Sequence, residues 1–425
     1  MLEPTNLIYG HSQEVPTRRG PTPYINFDNA ASTPPFTRVM EALCREARWY
    51  ASVHRGAGYK SQYSTQLYEA ARQSVGKFVG VDFDHDVVIF TKNTTDSLNK
   101  LSHYLPFLSG EQVVYTGVEH HSNELPWASK DSYCIGLDGY QINLAETESY
   151  FQANAGRIKL LAVSGASNVT GYIPPIYTLA EIAHRAGAKI LVDAAQLAAH
   201  HPIDVLPPSD PRHLDFVAFS AHKMYAPFGV GVLIGPREIF RHTPPSQVGG
   251  GTVQGIGPAG VVWSEPPDVE EAGSPNVLGA VALAEALKVF REIGWDSIIE
   301  NEKILIRRTL EILRELPDVT LYNPDPDNRV GVISFNVAGH HHLEVAQYLA
   351  EEWGIGVRSG CFCARSYVQR LLNLTPTAIY SAQKKIINHQ PQLVPGLVRV
   401  SFGCYNQLHE VEKLAQALAE FQSRC

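Results

Sequence analysis

Two cysteines near the end of the chain stand one residue apart, in the stretch GIGVRSGCFCARSYVQRLL. They are Cys361 and Cys363, two of only six cysteines in 425 residues. Two thiols this close together in the sequence have three possible functions. They could bind a metal, form a redox pair, or consist of one reactive thiol beside a second that takes no part in the reaction. The loop alone does not distinguish these three, so the other reactive groups of the chain have to be considered with it.

A lysine follows an apolar run in the stretch FVAFSAHK, which places Ser220, His222 and Lys223 directly after a predicted strand. A lysine at a buried strand end is unfavourable unless its charge is paired or its pKa is lowered. One use of such a lysine is a Schiff base with the aldehyde of pyridoxal phosphate. The alternative at this stage is an ordinary surface lysine that happens to follow a strand.

Other apolar runs end in polar residues that suit the same cofactor. The run ILVDAAQ contains Asp193, and a buried carboxylate needs a cationic partner, which the pyridinium nitrogen of the cofactor would be. Asn168, the last residue of the stretch SGASN, is a candidate to hydrogen-bond the phenolic oxygen of the cofactor. Gln196 is a second candidate for that oxygen.

The phosphate and the ring of such a cofactor also have candidate partners. Thr94 and Thr95 begin a predicted helix, whose N-terminal N–H groups and dipole favour a phosphate. His120 and His121, in the stretch GVEHHSNE, are both able to stack on a flat ring. Each residue also has a structural interpretation, as a helix cap, a core ion pair or a buried histidine. Their occurrence on successive strand ends of one predicted sheet favours a shared ligand.

The elements that must position these residues alternate between short β-branched runs and helical stretches from about residue 65 onwards. This alternation predicts an α/β domain with a mostly parallel sheet, whose ligands bind at the carboxyl ends of the strands. Beyond about residue 290 the pattern changes to long amphipathic helices with fewer strands. We therefore predict an N-terminal segment of residues 1–24, a large domain over residues 25–290, and a smaller α+β domain over residues 291–425 that carries the cysteine loop.

The composition argues against several classes of function. The chain is 44% hydrophobic and 18% charged, has a net charge of −8 and contains no cluster of Lys and Arg, so we expect no nucleic-acid partner. No apolar stretch of about 18 residues could span a membrane, and the N-terminus lacks the apolar run of a secretory signal, so we expect a cytoplasmic location. Six cysteines are too sparse for a disulfide framework. The C-x-C pair supplies only two ligands, so we expect no metal site there, whereas a transient redox pair stays open.

Motifs spread over about residues 24–420 resemble one known family. They are, in chain order, INFDNAAST, SVHRGAGY, NTTDSLN, EHHSNELPW, SNVTG, VDAAQ, SAHK, EAGSPN, VRSGCFCA and RVSFGCYN. With these motifs the chain resembles the class V, fold-type I pyridoxal-phosphate enzymes, and is most similar to type II cysteine desulfurases and selenocysteine lyases. The resemblance implies the fold of a fold-type I PLP-dependent transferase, with a large cofactor-binding domain and a small C-terminal domain.

The resemblance also implies a role for each candidate residue. Lys223 would hold the cofactor and move protons at the α-carbon of the substrate, while Asp193 would keep the ring nitrogen protonated. His120 would stack on the ring and take part in acid–base steps, and Arg399 would bind the α-carboxylate of the substrate. The other residues would bind parts of the cofactor or the substrate. The phosphate would be bound by Thr94, Thr95, Ser220 and His222, and the phenolic oxygen by Asn168 and Gln196, with Asn168 also contacting the substrate. Ser274 would reach the phosphate bound in the neighbouring subunit, which implies a homodimer.

The resemblance separates the two cysteines of the loop. The persulfide-forming cysteine of this family lies in the pattern R-x-G-x-x-C, and that spacing from Arg358 assigns the nucleophile to Cys363. A thiolate at Cys363 would attack the sulfur of bound L-cysteine, so that alanine leaves and a persulfide remains for a sulfur acceptor, such as a protein. Arg358 or Arg365 would lower the pKa of this thiol. Cys361 is left without an assigned role.

Three departures from the family pattern keep the substrate and the sulfur acceptor open. First, type II desulfurases commonly carry histidines just before the nucleophile, where this chain has Cys361 and Phe362. Second, the C-F-C loop is similar to a cysteine-rich loop in molybdenum-cofactor sulfurases. Residues 374–396 form a longer connection than is usual, and we expect a lid or an acceptor surface there. The alternatives are use of selenocysteine, another class V activity without a persulfide (C–S lyase, aminotransferase or epimerase), or a scaffold without catalysis.

Overall fold

The computed structural model describes residues 4–241, 244–390 and 393–424. The helices are α1 (Pro4–Leu7), α2 (Thr37–Glu46), α3 (Tyr59–Phe78), α4 (Thr94–Tyr104), α5 (His121–Glu124), α6 (Leu144–Ala153), α7 (Ile176–Arg185), α8 (Val277–Ile293), α9 (Trp295–Glu315), α10 (His342–Trp353), α11 (Arg365–Leu371), α12 (Pro376–Ile387) and α13 (Leu408–Ser423). The strands are β1 (Glu14–Thr17), β2 (Gly20–Pro23), β3 (Ile25–Asn26), β4 (Asp86–Thr91), β5 (Gln112–Thr116), β6 (Ser132–Ile135), β7 (Leu137–Asp138), β8 (Gln141–Ile142), β9 (Ile158–Ser164), β10 (Lys189–Asp193), β11 (Phe216–Ser220), β12 (Gly231–Pro236), β13 (Val253–Gly257), β14 (Gly260–Trp263), β15 (Val319–Tyr322), β16 (Val332–Val337), β17 (Ile355–Gly356), β18 (Arg358–Gly360) and β19 (Leu397–Ser401).

A seven-stranded sheet forms the centre of the larger part of the chain. Its strand order is β4-β12-β11-β10-β9-β5-β6, and only β12 runs antiparallel to its neighbours. The central strands β10, β11 and β12 are buried except at Lys189, the first residue of β10, which explains why their sequences are apolar runs without alternation. This mostly parallel α/β sheet confirms the predicted fold class.

The one reversed strand, β12, brings the start of α4 close to the carboxyl end of β11. Gly231 opens β12, and a Cβ atom at that position would come within 2.5 Å of the backbone of Asn93. Only glycine permits this approach, because any side chain would displace the residue that caps α4. The contact places the N-terminus of α4 beside the turn that carries Lys223.

A second, four-stranded sheet has the order β15-β16-β19-β18 and is antiparallel throughout. It packs with α9, α10 and α13 around a separate apolar core, which includes Phe335, Val400 and Leu414. Residues from near the start of the chain join this core: β3 pairs with β17, and Phe27 is fully buried there. The small unit is therefore built from both ends of the sequence.

Two stretches differ in detail from their sequence patterns. The amphipathic pattern after residue 295 predicts one long helix, but α9 ends at Glu315 and β15 begins at Val319. Pro317 accounts for this end, because proline disfavours helical backbone in the residue before it. Within the connection of residues 374–396, Pro376–Ile387 forms helix α12. Over the described residues, no helix is long and apolar enough to cross a membrane.

Candidate active site

A cavity of about 620 Å³ lies where the carboxyl ends of the sheet strands meet the cysteine loop. Most of the site residues predicted from the sequence line it: Thr94, Thr95, His120, Asn168, Asp193, Gln196, Ser220, His222, Lys223, Cys363 and Arg399. Ser274 is exposed and is not among the lining residues. The structure thus brings together groups from both halves of the chain, separated by as many as 305 positions (399 − 94).

Lys223 and Asp193 face each other at the ends of adjacent parallel strands. Lys223 is the last residue of the 3-10 turn that follows β11, and burial lowers the pKa of its amine to about 8, although Asp193 opposes that shift. Asp193 ends β10, and burial raises the pKa of its carboxyl group. One of its oxygens accepts the backbone N–H of Ala195 at 3.0 Å, and the described residues provide no other hydrogen bond to this carboxylate. The buried acid of Asp193 and the amine of the half-buried Lys223 are therefore both able to bind a ligand.

Hydroxyl groups cluster at the N-terminus of α4. The Asn93 side chain caps this helix by accepting the N–H of Asp96, and the Oγ1 of Thr94 lies 2.6 Å from the Oγ of Ser220. The Oγ1 of Thr95 lies 2.7 Å from the Oγ of Ser122. Hydroxyl donors beside a helix N-terminus form an anion site, because the first N–H groups of the helix have no partner within it. This end of the cavity can bind a phosphate.

Arg399 lies in β19 and enters the cavity from the small sheet. One terminal nitrogen donates to the backbone oxygen of Asn168 at 3.0 Å, and the other donates to Asp28, also at 3.0 Å. The Nε atom is buried without a partner among the described residues. Burial lowers the pKa of this guanidinium to about 10, and Asp28 opposes that shift. The unpartnered N–H is suited to a carboxylate that enters the cavity.

His120 is the histidine of the pair that lines the cavity. Its Nδ1 accepts the backbone N–H of Ser122 at 3.0 Å, so its remaining proton is on Nε2. Burial, and next the charge of Lys223, lower the pKa of His120 to about 3. His120 is therefore a neutral ring near pH 7, which is able to lie against a flat cofactor.

Three hydrogen bonds hold the cysteine loop against the large sheet. The Asn168 side-chain amide donates to the backbone oxygen of Phe362 at 2.7 Å, and the backbone N–H of His121 donates to the backbone oxygen of Cys363 at 2.7 Å. In return, the Nε2 of His121 accepts the backbone N–H of Arg365 at 3.0 Å. The loop is therefore positioned by Asn168, which lines the cavity, and by His121, which lies next to the lining residue His120.

The backbone of this loop is strained at the nucleophile candidate. Phe362 and Cys363 have φ angles of 52° and 55°, which is left-handed backbone that non-glycine residues seldom adopt. Cys363 is exposed and Cys361 is half-buried, and both are free thiols. Within the described part of the chain, no His, Asp or Glu completes a three-ligand metal set with them. In this conformation the backbone oxygen of Cys363 accepts the N–H of His121, and Cys363 lines the cavity.

Two amide side chains that we predicted to reach the phenolic oxygen of the cofactor also make main-chain hydrogen bonds. Gln196 donates its Nε2 to the backbone oxygen of Ala30 at 2.8 Å. Asn168 uses one of its two Nδ2 protons for Phe362. Each amide nitrogen carries two protons, so each retains one for a ligand.

Most of the chain matches a known family. The model of the family described as aminotransferase class-V matches residues 25–414. The chain belongs to the class-V aminotransferase family. A protein from Pyrococcus abyssi, named a probable cysteine desulfurase, is 37% identical over 408 residues, which cover 93% of this chain and 94% of the relative.

Solved structures of class-V family members agree with this membership. The structure of a cysteine desulfurase from Thermococcus onnurineus NA1, solved in its apo form, superposes with a TM-score of 0.83 at 35% identity and covers 95% of each chain. A cysteine desulfurase structure from Escherichia coli gives a TM-score of 0.80 at 26% identity, with 100% of this chain and 99% of that chain covered. The fold-type I architecture predicted from the motifs is confirmed by these neighbours.

Some residues of this class-V site were not identified from the sequence. Asp28 was missed because a lone acid in INFDNAAST carries no chemical signal until its contact with Arg399 is known. His121 was considered only for ring stacking, whereas the structure uses it to bind the cysteine loop. Ser122 joins the hydroxyl cluster and could have been suspected from its position beside the two histidines.

Proposed function

We propose that this protein is a pyridoxal-phosphate-dependent cysteine desulfurase, which converts L-cysteine to L-alanine and leaves a persulfide on Cys363 for transfer to an acceptor. One observation carries the proposal: Lys223, Arg399 and Cys363 line the same cavity. A cofactor amine, a carboxylate-binding guanidinium and an exposed thiol are the three groups that the reaction requires. The similarity to proteins named cysteine desulfurase supports the same reaction.

The residues of the cavity fit pyridoxal phosphate in three separate places. The Lys223 amine, with a pKa lowered to about 8, is partly neutral at pH 7 to 8 and can attack an aldehyde. The carboxylate of Asp193 keeps one oxygen available for a pyridinium N–H. Thr95, Ser220 and the first turn of α4 supply hydrogen-bond donors for a phosphate. When bound, pyridoxal phosphate supplies an electron sink that stabilises negative charge on the substrate.

Arg399 would bind the α-carboxylate of the amino acid through its unpartnered Nε–H. Asp28 and the Asn168 carbonyl hold the other two guanidinium nitrogens, so the plane of the guanidinium group is fixed before substrate arrives. With its carboxylate bound in this position, the substrate would extend toward Lys223. Lys223 would then remove the α-proton and later return it. His120, neutral and with its proton on Nε2, would lie against the ring and hold a proton near the reacting atoms.

Cys363 would act as the nucleophile toward the sulfur of the substrate. Its thiolate electron pair forms the new S–S bond, while the C–S bond of the substrate breaks and its electron pair passes to the β-carbon. A proton then completes the methyl group of alanine, and Cys363 carries the transferred sulfur as a persulfide. Because Cys363 is exposed at the cavity wall, its persulfide would be within reach of an acceptor from solvent.

We propose further that the acceptor is a protein, that the enzyme is a cytoplasmic homodimer, and that Ser274 reaches the phosphate in the neighbouring subunit. Ser274 is exposed and lies outside the cavity of its own chain. The hairpin β13–β14, which precedes it, exposes Ile256 and Val262, apolar side chains that a second copy would cover. Light scattering of the purified holoenzyme would measure the mass, and a monomeric mass would contradict this part of the proposal.

The decisive experiment measures the products from L-cysteine with wild-type protein and two matched single variants. We expect alanine and a protein persulfide from the wild type, and loss of both from Cys363→Ser. Cys361→Ser is the matched control, because it removes a thiol two residues away. Pyruvate with ammonia would indicate a C–S lyase, a requirement for a keto acid would indicate an aminotransferase, and racemised cysteine would indicate an epimerase. Any of these outcomes, or full activity of Cys363→Ser, would overturn the proposal.

A further inference from the structure

A group of two histidines and an aspartate lies at the opposite edge of the large sheet from the cysteine loop. His85, Asp86 and His213 each offer one ligand atom, and these atoms all lie within 4.8 Å of one another. Asp86 is the first residue of β4, and His213 precedes β11 by three positions. Since β4 and β11 run in the same direction, their amino ends lie at one edge and the Lys223 turn lies at the other.

Two buried atoms of this group have no hydrogen-bond partner among the described residues. Asp86 is 1% exposed, and its Oδ2 is unpartnered. His213 is 4% exposed; its Nδ1 binds the backbone oxygen of Leu206 at 2.7 Å, and its Nε2 is unpartnered. A buried oxygen or nitrogen without a partner is unfavourable, so these two atoms call for a third group between or beside them.

The hydrogen bond to Leu206 also determines which nitrogen of His213 can bind a metal. A carbonyl oxygen only accepts, so Nδ1 carries the proton and Nε2 keeps its lone pair. Metal-ligating histidines usually donate their second ring nitrogen to a carbonyl or a carboxylate in this way, because the bond fixes the tautomer and the orientation of the ring. His213 is therefore prepared as a ligand in advance.

His85 covers the two buried residues on the solvent side. Its side chain is 41% exposed, its Nδ1 lies 2.8 Å from Asp86 Oδ1, and its ring meets that of His213 edge-on with centroids 6.0 Å apart. His85 thus provides a third ligand and, by rotation of an exposed ring, an entry route for an ion. Two ligands that bind a tetrahedral metal at about 2.1 Å are about 3.4 Å apart, so closure needs only small side-chain movements.

Other charged residues near this group already have partners. His184 contacts Asp215 at 2.8 Å through Nε2 and the carbonyl oxygen of Pro211 at 2.7 Å through Nδ1. Lys189 binds the second oxygen of Asp215 at 2.8 Å. The side chains of Asp215 and His184 therefore already have hydrogen-bond partners. Among the described residues of this group, the buried atoms without a partner belong to Asp86 and His213.

We propose that His85, Asp86 and His213 bind a divalent transition-metal ion, for which zinc is the best match, with water as the fourth ligand. Two imidazoles and a carboxylate form a borderline-soft ligand set that suits zinc better than calcium or magnesium. The ion would join the start of β4 to the loop before β11, residues that are far apart in the sequence. This site is separate from the cavity at the cysteine loop, and its role would be to stabilise the large sheet.

The test measures zinc bound to the holoenzyme, without an affinity tag, in a background that carries Cys361→Ser and Cys363→Ser to remove thiol binding. After incubation with zinc sulfate and exhaustive dialysis, we expect about one zinc per chain by mass spectrometry, and a thermal midpoint about 3 °C above that of chelator-treated protein. His85→Ala changes an exposed side chain and should fold, and it should lose most of the zinc. His213→Gln should lose it as well.

His184→Asn is the neighbouring control and should keep its zinc, because His184 belongs to the pair with Asp215. Absorbance of the bound cofactor and the circular dichroism spectrum verify that each variant is folded. If the folded background protein retains no zinc, water alone must hydrogen-bond to Asp86 and His213, and the proposal is overturned. Unchanged zinc in both His85→Ala and His213→Gln would also overturn it, because the ion would then lie elsewhere.

Discussion

Arg399 and Asp28 form a 3.0 Å ion pair that joins the small sheet to a segment near the start of the chain. Asp28 accepts from one terminal nitrogen, so the guanidinium is held in one plane while its Nε atom stays unpartnered. The pair explains how a buried arginine with a pKa lowered to about 10 remains charged at neutral pH. The residue that the pair holds in place lines the cavity.

Arg399→Lys should raise KM for L-cysteine by about 10- to 100-fold, because an ammonium group loses the planar fork and one charge-assisted hydrogen bond. The absorbance of bound pyridoxal phosphate should not change, since Arg399 is proposed to bind the substrate. Arg358→Lys is the matched control: Arg358 lies 3.5 Å from Asp28 but is half-exposed, and KM should change less than about 3-fold. Equal effects of the two substitutions would contradict the assignment of Arg399.

His121→Phe should lower kcat by about 5- to 10-fold, because the variant lacks the acceptor for the N–H of Arg365. Cofactor absorbance should remain that of the wild type. Hydrogen exchange should become faster in the peptide that contains Arg365. Ser366, the next residue of α11, donates an exposed hydrogen bond to Glu124 of α5; Ser366→Ala removes that bond and serves as control, with little expected change. A wild-type exchange rate in His121→Phe would show that the loop is held by other contacts.

Attachment of pyridoxal phosphate to the apoprotein should depend on pH through the amine of Lys223. The neutral amine is the nucleophile, so the rate should rise about tenfold per pH unit below pH 8 and become constant above it. An ordinary lysine would show this rise up to about pH 10. Stopped-flow absorbance measures the rate. Asp193→Asn should move the midpoint to lower pH, because Asp193 raises the pKa of Lys223; a midpoint near pH 10 would contradict the proposed environment.

Arg72→Met should destabilise the protein by about 3–5 kcal/mol, because it leaves the carboxylate of Glu271 buried without its cation. The side chains of Arg72 and Glu271 are 4% and 6% exposed, and two hydrogen bonds of 2.6 and 2.9 Å join them. The free energy of unfolding from urea titration measures the effect. Arg308→Met breaks a similar two-bond pair with Glu412 at the surface, and there we expect a much smaller loss because solvent screens the pair. Similar losses in the two variants would refute the argument from burial.

Much of the large sheet was predictable because its strands are short apolar runs covered on both faces. The runs that begin at Asp86 and Lys189 became β4 and β10, and the polar residues after such runs line one cavity because parallel strands share a carboxyl edge. The pairing of β3 with β17 was not predictable, since two-residue strands carry no period and their partners lie at opposite ends of the chain. The contact of His121 with Arg365 was not predictable either, because the two residues lie 244 positions apart in the sequence.

The sequence by itself determined the α/β class, the positions of Lys223 and Asp193 at predicted strand ends, and the R-x-G-x-x-C spacing by which the family resemblance favours Cys363 over Cys361. These depend on local pattern, and local pattern is written in consecutive residues. Only the tertiary structure decided that Asp28 orients Arg399, that His121 holds the cysteine loop, and that Asp86 and His213 meet with unpartnered atoms. Each of these contacts joins residues more than a hundred positions apart, and only the tertiary packing of the chain, which no local pattern specifies, brings them together.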